Sequence, residues 1–119
     1  MKSIMLILIF SFSVAISSAQ KTKTNISVAD SSKKTEVVET ACGQCQFHLP
    51  GKGCNLAVRI NGKAYFVDGT DIDSHGDAHA QQGFCNAISK AEVQGTIVNT
   101  RFNVTYFKLL EPIMSTHKN

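Results

Sequence analysis

Short runs of β-branched and aromatic residues alternate with polar turns along the central part of the chain. Two of these runs are joined by Asn61-Gly62-Lys63, and Asn-Gly supplies the positive φ angles of a tight hairpin turn. A second pair, rich in Val, Ile, Thr, Tyr and Phe, is separated by the polar stretch 99–101. The pattern predicts five strands, over residues 37–41, 56–60, 64–68, 92–98 and 102–109.

Between the two hairpins the apolar spacing becomes helical. Ser74 is a suitable N-cap, and Phe84, Ile88 and Ala91 would share one face of a helix over 75–90. Gly83 could divide this helix into two short ones. The segment therefore predicts one helical element between the third and fourth strands.

The predicted element order, β-β-β-α-β-β, matches the five-stranded barrel known as the OB-fold. In that fold a helix lies between the third and fourth strands, as predicted for 75–90. A plain α+β sheet has the same element order and stays open as an alternative. We expect a mainly β protein with one helical segment (α+β) that forms a small five-stranded OB-like barrel.

Composition divides the chain into four parts. Lys2, the apolar run 4–12 and Ser17-Ser18-Ala19 form the three regions of a signal peptide over 1–19. A disordered polar linker is expected over 20–36, because Lys, Thr and Ser offer too little apolar surface to offset backbone ordering. The cysteine-containing domain would span 37–113, with a flexible tail at 114–119. This organisation predicts export to the periplasm or the extracellular space.

Charge and hydropathy exclude several functions. The net charge of the 119 residues is only +3, which argues against nucleic acid as a partner. After the signal peptide, no run approaches the roughly 20 apolar residues of a membrane helix, so we expect no stable membrane insertion once it is cleaved. The expected partner is an exported ligand or protein that the sequence does not identify.

The four cysteines, Cys42, Cys45, Cys54 and Cys85, favour a disulfide framework. An even number of cysteines in a small exported domain is typical of disulfide stabilisation, and three pairings are open. A bond between Cys54 and Cys85 would close a loop of about thirty residues and contribute about 3 to 4 kcal/mol.

A metal site is the competing interpretation of the same residues. Cys42 and Cys45 have the spacing of two thiolates that bind one ion, and Cys54 or Cys85 could add further soft ligands. His75 and His79, four apart on the predicted helix, would lie about 6 Å apart on one face. The combined Cys/His set suits zinc or copper. The other histidines, His48 and His117, are expected at the surface.

Catalysis is not expected, and we predict no catalytic residue. Cys42-Gly43-Gln44-Cys45 has the spacing of a redox motif, which makes a periplasmic thiol-disulfide oxidoreductase the alternative function. However, no Trp precedes Cys42, and Pro50 with Gly51 would break the helix that such enzymes place after the motif.

Several motifs inside 41–110 are similar to those of one protein family. They are Ala41-Cys42-Gly43-Gln44-Cys45, Gly51-Lys52-Gly53-Cys54, Ala64-Tyr65-Phe66-Val67-Asp68-Gly69, His75-Gly76-Asp77-Ala78-His79 and Gly83-Phe84-Cys85. On these residues the chain resembles a family of small exported bacterial proteins of unknown function. The resemblance implies export from a bacterium but no activity. We therefore expect an exported binding or scaffold domain stabilised by its four cysteines.

Overall fold

The computed structural model describes residues 26–110. The predicted signal peptide (1–19), the predicted tail (114–119) and the last residues of the predicted domain (111–113) lie outside this range. No helix formed by the described residues has the length and apolar character needed to cross a membrane. The elements are β1 Glu36–Cys42, α1 Gly43–Gln46, β2 Leu56–Ile60, β3 Lys63–Asp68, β4 Ser89–Val98 and β5 Arg101–Leu109.

The five strands close into a barrel in the order β1-β2-β3-β5-β4, with β4 paired to β1. Neighbouring strands are antiparallel except β3 and β5, which run parallel. The β2–β3 turn has positive φ at Asn61 (49°) and Gly62 (80°), as the Asn-Gly sequence predicts. The predicted fold class, a small five-stranded barrel of mainly β structure with one helical segment, is confirmed.

The barrel interior is filled by side chains from every strand. Val58 on β2 and Val93 on β4 are almost completely buried, and Phe102 and Val104 on β5 complete the same cluster. The loop between β3 and β4 adds apolar side chains to this core: Ile72, Ala78 and Phe84. Because these loop residues are buried, the loop is packed onto the barrel and holds Cys85 in a defined position.

A bulge between Gln94 and Gly95 shifts the pairing of β4 with β5. Gln94 is only 2% exposed, and its side chain bonds to the backbone N–H and carbonyl of Asp30, the carbonyl of Lys33 and the hydroxyl of Thr35. These bonds attach residues 30–35, which precede β1, to the outside of β4. The described part of the predicted linker therefore has defined contacts, while the domain boundaries themselves stay predictions.

The helix predicted over 75–90 is wrong. The segment forms turns and irregular loop until Ser89 begins β4, and the helical turn found in residues 26–110, α1, lies between β1 and β2. The Asp71 carboxylate accepts from the backbone N–H of Ser74, and the Asp77 carboxylate accepts from that of His79. Gly76 has a φ of +100°. The side-chain hydrogen bonds take the place of helical backbone bonds, and the positive φ angle turns the chain away from a helical path. The residues expected to cap a helix therefore form successive turns.

Candidate metal centre

Four cysteines from three parts of the chain meet at one end of the barrel. Cys42 ends β1, Cys45 lies in α1, Cys54 comes just before β2, and Cys85 lies in the loop before β4. Their Sγ atoms all lie within 4.8 Å of one another. The fold thus brings together all four cysteines that the sequence indicated as ligands.

The four sulfurs are free thiols rather than two bonded pairs. Cys54 is central, with its Sγ 2.9 Å from that of Cys85, 3.3 Å from that of Cys42 and 3.6 Å from that of Cys45. Since a disulfide requires about 2.05 Å, none of these contacts is a covalent bond. The disulfide framework expected from the cysteine count is not formed in this structure.

Backbone hydrogen bonds fix the three segments that carry the thiols. The Cys42 N–H donates to the Phe84 carbonyl at 2.9 Å, which joins the end of β1 to the loop before Cys85. The Gly43 N–H donates to the Asn55 carbonyl at 2.8 Å, which joins α1 to the residues beside Cys54. The Gln46 side-chain amide donates to the carbonyl of Cys85 itself. The sulfurs are therefore held by a bonded framework around them.

Glycine at position 43 lets α1 lie against the barrel wall. A Cβ there would meet the Phe66 ring at 2.6 Å and the Ala57 Cβ at 3.1 Å. The close approach of this backbone to β2 and β3 leaves room for no larger residue at position 43. Gly43 therefore helps to place Cys42 and Cys45 on either side of the same tight turn.

The thiols differ in burial and in their readiness to ionise. Burial opposes ionisation of Cys42, but hydrogen bonds from the Cys45 N–H and from neighbouring thiols outweigh it, so its pKa is lowered. Hydrogen bonds with the Cys42 and Cys54 thiols raise the pKa of the exposed Cys45 to about 11. Those with Cys85 and Cys42 raise the pKa of Cys54 to about 12. Burial raises the pKa of Cys85.

The arrangement fits a single tetrahedral metal ion. With zinc–sulfur bonds of about 2.3 Å, tetrahedral ligands lie about 3.8 Å apart. The Cys45–Cys54 separation of 3.6 Å is near this value, and the sulfurs of Cys42 and Cys85, at 3.3 and 2.9 Å from Cys54, would move slightly apart around an ion. Four sulfur ligands in a tetrahedron are typical of zinc, and thiolates also suit copper(I). The geometry supports metal binding without showing which metal is bound.

The histidines predicted as ligands lie outside this cluster. Within residues 26–110, the four cysteines form the group that is close enough together to bind one ion. Neither His75 nor His79 belongs to this group. The His75 ring packs against Phe107 in a tilted arrangement with centroids 4.4 Å apart, and its Nε2 is 2.8 Å from the Thr70 hydroxyl. Because no helix forms here, the expected one-face pairing of the two histidines does not arise.

His79 is exposed. His48 is exposed too, as the sequence predicts. His117 lies outside the described residues. Burial lowers the pKa of His75, against a smaller opposing effect of the Asp71 carboxylate. The packing around Phe107 thus favours the neutral form of His75.

Comparison with known proteins gives a family but no function. A search of curated proteins and a search of solved structures each found no match. The family of unknown function DUF6370 matches residues 36–110, which include all five strands and all four cysteines. The chain therefore belongs to DUF6370, a family of unknown function.

Proposed function

We propose that this protein is a small exported binding or scaffold domain that holds one zinc ion through Cys42, Cys45, Cys54 and Cys85. The observation that carries the proposal is the convergence of all four Sγ atoms within 4.8 Å. Zinc bound there would link β1 and α1 to the loops that contain Cys54 and Cys85. Export is part of the proposal and is supported by the signal-peptide pattern of residues 1–19.

A stabilising role suits the parts of the chain that the ion would join. The helix α1 has only four residues, and the segment from Phe47 to Asn55 is irregular. A domain this small has a limited core, and metal ions or disulfides commonly supplement such cores. Because the ligands come from three separate segments, binding of one ion would restrain all of them at once.

Zinc is proposed over copper because the four-thiol set favours tetrahedral coordination. Zinc bound by four cysteines is a closed site with no open position for substrate, which agrees with a structural role. Copper(I) commonly uses fewer soft ligands and is the competing occupant. Elemental analysis of the purified protein distinguishes the two metals.

The test compares zinc binding by the native protein with that of Cys85→Ser and His79→Ala. We expect one zinc per native chain, at least 100-fold weaker binding by Cys85→Ser, and unchanged binding by His79→Ala. Competition with a chromophoric chelator under reducing conditions measures these affinities. A native protein that binds no zinc would overturn the proposal, and loss of binding in His79→Ala would show that histidine is a ligand.

A further inference from the structure

The four sulfurs of the proposed centre are not equivalent in their surroundings. Cys42 is 0% exposed, and its Sγ accepts a backbone N–H from Cys45 at 3.4 Å. Cys45 is exposed, and within the described part of the chain the hydrogen-bond contacts of its Sγ are with other cysteine sulfurs, among them Cys54 at 3.6 Å. One face of the cluster is therefore shielded, and the other presents a sulfur to solvent.

This asymmetry determines which sulfur meets a dissolved reagent first. A thiolate bound to metal keeps nucleophilic character, and hydrogen bonds from N–H groups withdraw part of its negative charge. Cys42 has such a bond and is covered, whereas Cys45 has no N–H donor from residues 26–110 and is open. In the zinc-bound cluster all four sulfurs are thiolates, whatever their pKa values without metal, so exposure and the lack of an N–H donor single out Cys45 as the sulfur most open to oxidation.

A second sulfur lies close enough to complete an oxidation. Cys54 Sγ is 3.6 Å from Cys45 Sγ. For these two sulfurs to form a disulfide, only their bonds to the metal have to break. Exposed reactive cysteines that have a resolving cysteine beside them are typical of redox-responsive sites. The pair would close a loop in the irregular segment between α1 and β2, where the backbone can adapt.

We propose that the zinc centre reacts with hydroperoxides, with Cys45 as the attacking thiolate and Cys54 as the resolving one, and that this reaction releases the zinc. The inference rests on the proposed function, because it requires a bound metal. It adds a substrate class, hydroperoxides, and makes metal occupancy dependent on oxidation.

The reaction consists of two displacements. The Cys45 thiolate attacks the peroxide O–O bond; a sulfenic acid forms on Sγ, and an alkoxide, or hydroxide from hydrogen peroxide, leaves. The Cys54 thiolate then attacks the Cys45 sulfur, an S–S bond forms, and hydroxide leaves. Two thiolates lose two electrons in total, and the peroxide gains them. Zinc is left with Cys42 and Cys85, which is too few protein ligands to retain it.

The experiment adds hydrogen peroxide to the zinc-loaded, full-length mature protein. Zinc release is followed with a chromophoric chelator, and the first disulfide is identified by mass spectrometry of peptides from early time points. We expect release of one zinc per chain together with a Cys45–Cys54 bond, and dimedone trapping of a sulfenic acid at Cys45. A first bond between Cys42 and Cys45 or between Cys54 and Cys85 would overturn the assignment.

Two variants separate reactivity from loss of a ligand. Cys45→Ser and Cys85→Ser each remove one sulfur, but only the first removes the attacking thiolate. At a zinc concentration that saturates both variants, we expect cysteine oxidation at least 10-fold slower in Cys45→Ser than in Cys85→Ser, and equal rates would overturn the inference. Zinc content is measured before peroxide is added: a zinc-free native protein refutes the proposed function, whereas a zinc-loaded protein that resists peroxide refutes this inference alone.

Discussion

At the scale of single residues, His75 links packing to pH. Its ring lies on Phe107 and edge-on to Phe84, and burial lowers its pKa below 6.5. The unfolded chain therefore takes up a proton near pH 6.5 that the folded protein does not accept until lower pH. The contribution of His75 to the free energy of unfolding should therefore be constant above pH 6.5. It should fall as the pH drops below 6.5.

The variant His75→Gln tests this pH dependence, with the exposed His79→Ala as the matched control. Thermal unfolding between pH 7.5 and 5 at one fixed zinc concentration should show a smaller loss of Tm for His75→Gln than for the native protein. His79→Ala should follow the native curve. Carboxylates such as Asp68 and Asp71, whose pKa values are lowered, contribute their losses only near and below pH 3.8. Identical pH profiles for all three proteins would contradict the packing of His75.

At the scale of elements, the contact between residues 30–35 and β4 depends on one buried side chain. Gln94 bonds to Asp30, Lys33 and Thr35 at distances between 2.8 and 3.2 Å. Gln94→Leu should lower the free energy of unfolding by about 1 to 3 kcal/mol, because it removes four hydrogen bonds made by a buried side chain. Urea denaturation measures this loss.

Proteolysis shows where the effect of Gln94→Leu is located. Cleavage within residues 26–35 should become faster than in the native protein, because the segment loses its attachment to the bulge in β4. Gln82→Leu, in the exposed part of the loop before β4, is the control and should change neither stability nor cleavage by much. Equal effects of the two substitutions would mean that the contacts of Gln94 do not hold the segment.

The strands were predictable because local signals agree with the final topology. Asn61-Gly62 favours a hairpin turn by itself, and β-branched runs on either side supply the paired strands. The turns of the loop before β4 were not predictable, because Ser74 and Asp77 suit a helix cap and an isolated turn equally well. Packing of Phe84 and Ala78 into the barrel decides between them, and that contact depends on strands distant in sequence.

The candidate site was predictable in part for a related reason. The spacing of Cys42 and Cys45 places two sulfurs on one turn without any knowledge of the fold. Cys85 reaches them only because the loop before β4 bonds back to the end of β1 through Cys42 and Phe84. The histidines were included because the predicted helix would have paired them, so the error in the helix produced the error in the ligand set.

At the scale of the whole molecule, metal binding should be coupled to release of protons. The pKa of Cys45 is raised to about 11, that of Cys54 to about 12, and that of Cys85 is also raised, so these three thiols are protonated at neutral pH. Zinc binds thiolates, and binding must therefore displace at least three protons. The affinity should rise about 1000-fold for each pH unit near neutrality.

Calorimetric titration in two buffers of different ionisation enthalpy counts these protons directly. The native protein should release at least three protons per zinc at pH 7. Cys85→Ser should release about one fewer, since it lacks one of the protonated ligands. Release of one proton or none would mean that the thiols are already ionised or that they do not bind the ion.

The central claim is that all four cysteines, and no histidine, bind one zinc ion. X-ray absorption at the zinc edge of the purified, zinc-loaded protein measures the identity and number of the ligand atoms. The account predicts four sulfur atoms at about 2.3 Å and no nitrogen in the first coordination sphere. A sphere that contains nitrogen at about 2.0 Å, or fewer than four sulfurs, would contradict it.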